Sequence, residues 1–89
     1  MKNNYPDLIR KAPVYDVATK TPLDFAPLIS KRMSSQIWFK REDLQPVFSY
    51  KIRGAYNLMS SLSEETMRSG VVAASAGNHA QGVALSAKK

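Results

Sequence analysis

The sequence predicts an α/β fold, and three observations carry that prediction. Two runs, Ile37-Trp38-Phe39-Lys40-Arg41 and Val71-Val72-Ala73-Ala74, are apolar or β-prone and too short for helices. Around them apolar residues recur at helical spacing, as at Ile52, Ala55, Tyr56 and Met59. The resulting order of helix, strand, helix, strand, helix is that of a layered α/β architecture. Two strands are fewer than an open sheet needs, so that architecture is incomplete.

Each element has a local reason. Tyr5 to Lys11 reads as a short helix ended by Pro13, with Leu8 and Ile9 as its apolar contacts. Thr21 precedes a proline and is held extended; a helix then runs through Phe25, Leu28, Ile29 and Arg32, with Pro27 in its first turn. Residues 37–41 form a strand. Ser49 caps the helix that carries Ile52 and Ala55, which leaves Lys51 and Arg53 off its buried face. Ser63 opens a further turn, Glu64 and Glu65 complement its positive end, and Gly70 stops it before a second strand at 71–74. Gly77-Asn78 leads into a last helix, on which Ala80, Val83, Ala84 and Ala87 make a small-residue side suited to close packing.

Composition excludes several classes. With 44% apolar and 22% charged residues the chain is too hydrophobic to be disordered, and 89 residues allow one small core without cysteine or a metal cluster to supplement it. No apolar run approaches membrane-spanning length. The lack of cysteine and of an apolar signal core in Met1-Lys2-Asn3-Asn4-Tyr5-Pro6 points to the cytoplasm. The net charge of +6 raises a nucleic-acid partner, but the lysines and arginines are scattered rather than gathered into a basic and aromatic stripe, so none is expected.

Lys51 is the residue that stands out. A cation in the first turn of a helix faces the positive end of the helix dipole, where a neutral amine is easier to hold. Its neighbours sharpen the point. Lys40-Arg41-Glu42-Asp43-Leu44-Gln45-Pro46-Val47-Phe48-Ser49-Tyr50-Lys51-Ile52-Arg53-Gly54-Ala55-Tyr56-Asn57 closely resembles the lysine segment of the threonine dehydratases (threonine ammonia-lyases), which are fold-type-II pyridoxal-phosphate enzymes. Ser75-Ala76-Gly77-Asn78-His79-Ala80-Gln81-Gly82 is similar to that family's asparagine loop, and Thr21-Pro22-Leu23 to its early Thr-Pro-Leu. The resemblance runs from Ala12 to the last residue, and Leu44-Gln45-Pro46-Val47 looks more like the biosynthetic branch than the catabolic dehydratase, serine dehydratase or serine racemase.

The resemblance implies a tryptophan synthase β-like fold, of which the chain would be an incomplete three-layer α/β/α part, with about residues 1–44 packing on the large domain and about 45–89 beginning the small one. It implies pyridoxal 5'-phosphate as cofactor. The implied parent activity is dehydration and deamination of L-threonine to 2-oxobutanoate and ammonia, the first step of isoleucine biosynthesis, in a homo-oligomer. Serine would enter by the same route. A serine/threonine dehydratase or a serine racemase is the alternative within the family, and a noncatalytic fragment or interaction module is the alternative outside it.

At residue level, the resemblance implies that Lys51 bonds the cofactor aldehyde and moves the substrate proton, and that Asn78 hydrogen-bonds the phenolic oxygen of the cofactor ring. Ser75, Gly77 and Asn78 would receive the substrate carboxylate at a helix start. Phe48 could wall the cofactor, although aromatic residues flanking a helix start, here Phe48 and Tyr50, are expected to pack in the core. Many relatives carry phenylalanine where this chain has Tyr50. His79 is expected to pack in its loop and not to act as a base.

The four glycines at 54, 70, 77 and 82 form no phosphate cup. In relatives that cup, and a serine facing the pyridine nitrogen, lie further along the chain than Lys89. The chain therefore reads as an amino-terminal portion, inactive alone, whose two strands belong to different sheets and do not pair.

Overall fold

Proline placement and short polar caps set most of the element boundaries in the computed structural model, which describes residues 4–89. The start of the chain, read above as lacking a signal core, lies partly outside these residues. Helix α1 (Tyr5–Lys11) is opened by Asn4, whose Oδ1 accepts from the Asp7 N–H, and by Pro6 in its first turn. A short 3-10 turn at Val14–Asp16 follows Pro13.

Strand β1 (Leu23–Phe25) and strand β2 (Trp38–Lys40) pair antiparallel, Leu23 opposite Lys40 and Phe25 opposite Trp38, around helix α2 (Pro27–Met33). Phe25 was expected in the helix and lies instead in β1. Pro27 starts α2 and keeps Ala26 extended, so Phe25 remains in strand geometry and packs on Trp38 with ring centroids 5.0 Å apart. The Ser30 hydroxyl accepts the Ile37 N–H at 2.9 Å and ties α2 to the start of β2.

The expected second strand at 71–74 is absent: these residues are irregular. A strand exists only through a ladder, and among the described residues the single sheet consists of β1 and β2. Residues 37–41 and 71–74 accordingly do not pair.

Helix α3 (Lys51–Ser60), helix α4 (Glu64–Arg68) and helix α5 (Asn78–Lys88) complete the chain. Ser63 caps α4 by accepting the Thr66 N–H, and Gly70 ends the segment with a φ of 78°, a conformation open to glycine. Ser49 does not occupy the cap position of α3, which falls to Tyr50; the Ser49 Oγ accepts the Lys51 N–H at 3.4 Å from one residue earlier.

The core is built around Ile52, which is 0% exposed, with Ala18 and Val47, and with Val17 and Leu85 packed alongside. α5 meets α3 through Gly82 and Ser86, whereas Ala80, Ala84 and Ala87 are exposed. Close packing by small residues is present, on a different face from the one expected. Gly82 decides it: a β-carbon there would stand 3.3 Å from the Ile52 N and Cα atoms, so glycine brings the two backbones together. The Ser86 hydroxyl donates to the Gly82 carbonyl at 2.7 Å and is satisfied within its own helix.

The radius of gyration is 16.4 Å, against roughly 12 Å for a compact domain of this length. Much apolar surface stays uncovered, Val72 at 101% exposure being the extreme.

Candidate active site

The first turn of α3 is held from three directions. Ile52 fills the core, Gly82 of α5 lies against the Lys51–Ile52 peptide, and the Arg53 guanidinium is paired to Glu42. Lys51 occupies the first helical position of that turn and is half-buried. Among the described residues its amine makes no ion pair or hydrogen bond. It is a primary amine on a fixed backbone with its nitrogen uncommitted.

The link from Arg53 continues into the body of the chain. Arg53 Nε donates to Glu42 Oε1, while the Thr21 hydroxyl and Gln45 Nε2 both donate to Glu42 Oε2 at 2.8 Å. With every partner a donor, the carboxylate is held ionised; the Arg53 hydrogen bond is the largest cause, Gln45 and Thr21 add to it, and the Glu42 carboxyl is lowered to about 2. Gln45, 1% exposed, also binds both sides of one residue, accepting from the Thr19 N–H and donating to the Thr19 carbonyl at 2.8 Å each. Arg53 further donates to the Tyr15 hydroxyl at 3.3 Å and lies 5.3 Å over its ring, which lowers the Tyr15 phenol.

The loop before α5 is built differently. Ser75 Oγ accepts the N–H of Gly77 at 3.0 Å and of Ala80 at 3.2 Å, so this serine acts as the cap of α5 although Gly77 holds the cap position. Among the described residues this leaves the Asn78 and His79 N–H groups as the unclaimed donors of the first turn. Asn78 opens α5 one turn, about 6 Å, before Gly82 and on the same face, which sets it on the Lys51 side of the helix.

Ser75, Gly77, Asn78 and His79 are all exposed. The packing role expected of His79 is therefore not made within this chain. Nor are Phe48 and Tyr50 in the core. Phe48 has a left-handed φ of 62° that turns its ring outward to 72% exposure, three residues before Lys51, and the Tyr50 phenol is exposed as well.

Thus Lys51 and Asn78 are carried on two packed helices near their starts, with Ser75 and Gly77 in the adjoining loop and Phe48 on the approach to α3. Glu42, Gln45 and Arg53 escaped the sequence reading. The one signal available was the placement of Glu42 and Gln45 three residues apart before Pro46; the partners that make them matter are 21 and 26 residues away, at Thr21 and Thr19.

An amine and a side-chain amide near the starts of two packed helices, on an α/β scaffold, are chemically suited to hold an aldehyde cofactor. The family described as "Pyridoxal-phosphate dependent enzyme" matches residues 14–89, and the chain belongs to it. It closely resembles biosynthetic threonine dehydratases: threonine dehydratase 1 of Solanum lycopersicum is 60% identical over 81 residues, covering 91% of this chain and 13% of that protein. The biosynthetic L-threonine dehydratase of Haemophilus influenzae is 60% identical over 76 residues, covering 85% of this chain and 15% of the relative. Among solved structures, the processed form of threonine deaminase isoform 2 from Solanum lycopersicum superposes with a TM-score of 0.88 at 55% identity, over 94% of this chain and 24% of its own. Maize serine racemase gives 0.84 at 38% identity, over 92% of this chain and 26% of its own. The chain thus spans between an eighth and a sixth of the length of those curated relatives. Its architecture is that of fold-type-II pyridoxal-phosphate enzymes.

The residues present fit the aldehyde and ring of that cofactor. Lys51 offers an uncommitted amine at a helix start, and Asn78 offers an uncharged donor one turn along the facing helix.

Proposed function

We propose that this chain carries the lysine and the asparagine loop of a threonine dehydratase, an enzyme that converts L-threonine to 2-oxobutanoate and ammonia as a step of isoleucine formation. The observation that carries the reading is the conjunction of an uncommitted Lys51 on an immobilised helix turn with 55–60% identity to threonine dehydratases. The lower 38% identity to maize serine racemase ranks racemisation second.

In this reading Lys51 would hold the cofactor through its aldehyde and Asn78 would hold its ring oxygen by a donated hydrogen bond. The Phe48 ring walls one side of the cofactor. The bound cofactor supplies the sink for negative charge developing at the substrate α-carbon. Once the substrate amine had displaced it from the cofactor aldehyde, the freed Lys51 Nζ would take the α-proton, its backbone held so that the amine meets one C–H bond. The N–H donors at the start of α5, with Ser75, Gly77 and Asn78 around them, receive the substrate carboxylate. Residues up to 44 pack on the larger domain and 45–89 begin the smaller. Asn78, Ser75 and Phe48 are exposed in the 89-residue chain, so the chain alone does not exclude water from the site and does not turn over.

The test is a chimera in which residues 14–89 replace the matched segment of the tomato threonine deaminase. It forms 2-oxobutanoate from threonine, and Lys51→Ala abolishes this. A chimera that turns over equally well without Lys51 overturns the reading.

A further inference from the structure

We propose that Glu42, Gln45 and Arg53 are positioning residues for Lys51, forming a partly buried polar relay that fixes the first turn of α3 against the Thr19–Thr21 segment. The inference rests on Lys51 being the reacting amine. Arg53 stands two residues after Lys51 in the same turn, so whatever holds its guanidinium also restrains the rotation and advance of the turn that carries the amine.

The relay is built for register. Gln45 bonds both the N–H and the carbonyl of Thr19, in the manner of a strand partner, and can do so at one residue only without leaving a buried amide unsatisfied. Its same amide nitrogen reaches Glu42, which takes Thr21 on one oxygen and Arg53 on the other. Gln45 and Thr21 thus hold Glu42 on the 19–21 segment, and sliding α3 relative to that frame breaks the Arg53–Glu42 link. Stability alone does not call for such a set, because buried polar clusters of this kind can be replaced by apolar packing at little loss. What apolar packing lacks is a single allowed register. Displacing a reacting group by about 1 Å costs on the order of a hundredfold in rate.

The exposed set around Arg41 makes the contrast. Arg41 pairs with Asp24 at 2.7 Å and with Asp43 at 2.8 Å, and among the described residues neither ion pair includes a residue of α3. Its loss leaves the Lys51 turn in place.

The experiment uses the chimera. Arg53→Met keeps the length of the side chain and removes its donors; the expected result is a kcat for threonine lower by about tenfold or more, with KM within about twofold, at a temperature where the fold is native by circular dichroism. Arg53→Lys, which keeps a charged donor to Glu42, recovers kcat to within about threefold of the parent, and Asp24→Asn changes it by less than about twofold. A second readout needs no cofactor. Competitive acetylation of the cofactor-free protein shows Lys51 reactivity altered by about threefold or more in Arg53→Met while that of the exposed Lys31 is unchanged. Should Arg53→Met fail to fold, Glu42→Gln is read in the same two ways, since its amide presents a donor to partners that are all donors. An Arg53→Met protein with lowered melting temperature but unchanged kcat and Lys51 reactivity overturns the proposal and leaves a structural role alone. Activity surviving Lys51→Ala instead removes the functional reading on which it rests.

Discussion

The turn that carries Lys51 and the loop that precedes Asn78 lie at the starts of two packed helices and are held by different physics. Around Lys51 the restraints are long-range and specific: a fully buried Ile52, a glycine at helix contact, and hydrogen bonds reaching back to residues 15–21. Around Asn78 they are local, one serine hydroxyl holding two N–H groups, and the residues leading in are exposed and outside any sheet. The difference teaches that this chain positions the amine by itself but leaves the asparagine loop to be completed by whatever covers it.

The largest effect expected from that contrast is at Ile52. Ile52→Ala removes the one aliphatic side chain that is fully buried among the described residues, at about 2–5 kcal/mol, which in a chain this small abolishes cooperative unfolding in urea. An unchanged urea midpoint would break the comparison, because the Lys51 turn would then not be anchored by packing.

Acid gives a smaller effect with a defined sign. Glu42 has its carboxyl lowered from 4.5 to about 2, chiefly by Arg53, so its contribution is present above pH 4.5 and is lost as the pH falls through 2. Discounted for solvent screening, that contribution is about 1–2 kcal/mol. Urea midpoints followed from pH 5 to pH 2 should fall for the parent chain more steeply than for Glu42→Gln; parallel curves would remove Glu42 from the restraint.

The smallest effect sharpens the other side of the comparison. Ser75→Ala deletes the cap of α5 and costs about 1 kcal/mol, seen as faster amide exchange at Gly77 and Ala80 with little change at Lys51 to Arg53. Exchange that accelerates equally in both regions would show that they open as one unit.

These regions were unequally legible in the sequence. Lys51 and Asn78 could be read because each sits in a short contiguous motif at a helix start, where residue type and position carry the chemistry. Pro27, Ser63 and Gly70 likewise mark boundaries that backbone sterics and capping enforce locally. Gln45 was illegible because its meaning depends on the Thr19 peptide 26 residues earlier. The buried face of α5 was misread because a helix rich in alanine, serine and glycine has no strong apolar side, and a single missing β-carbon at Gly82 selected the contact. Residues 71–74 have strand composition but pair with nothing among the described residues, and composition alone makes no ladder. Phe48 reads as a core aromatic until its left-handed backbone is known.

The central claim is that Lys51 is the amine that takes the cofactor aldehyde. The chimera loaded with pyridoxal phosphate, reduced with borohydride and digested, reports it directly by mass spectrometry. The pyridoxyl group is expected on Lys51, and on no lysine when Lys51 is replaced by alanine. A pyridoxyl group on Lys20, Lys40 or another lysine, with Lys51 unmodified, would contradict the assignment.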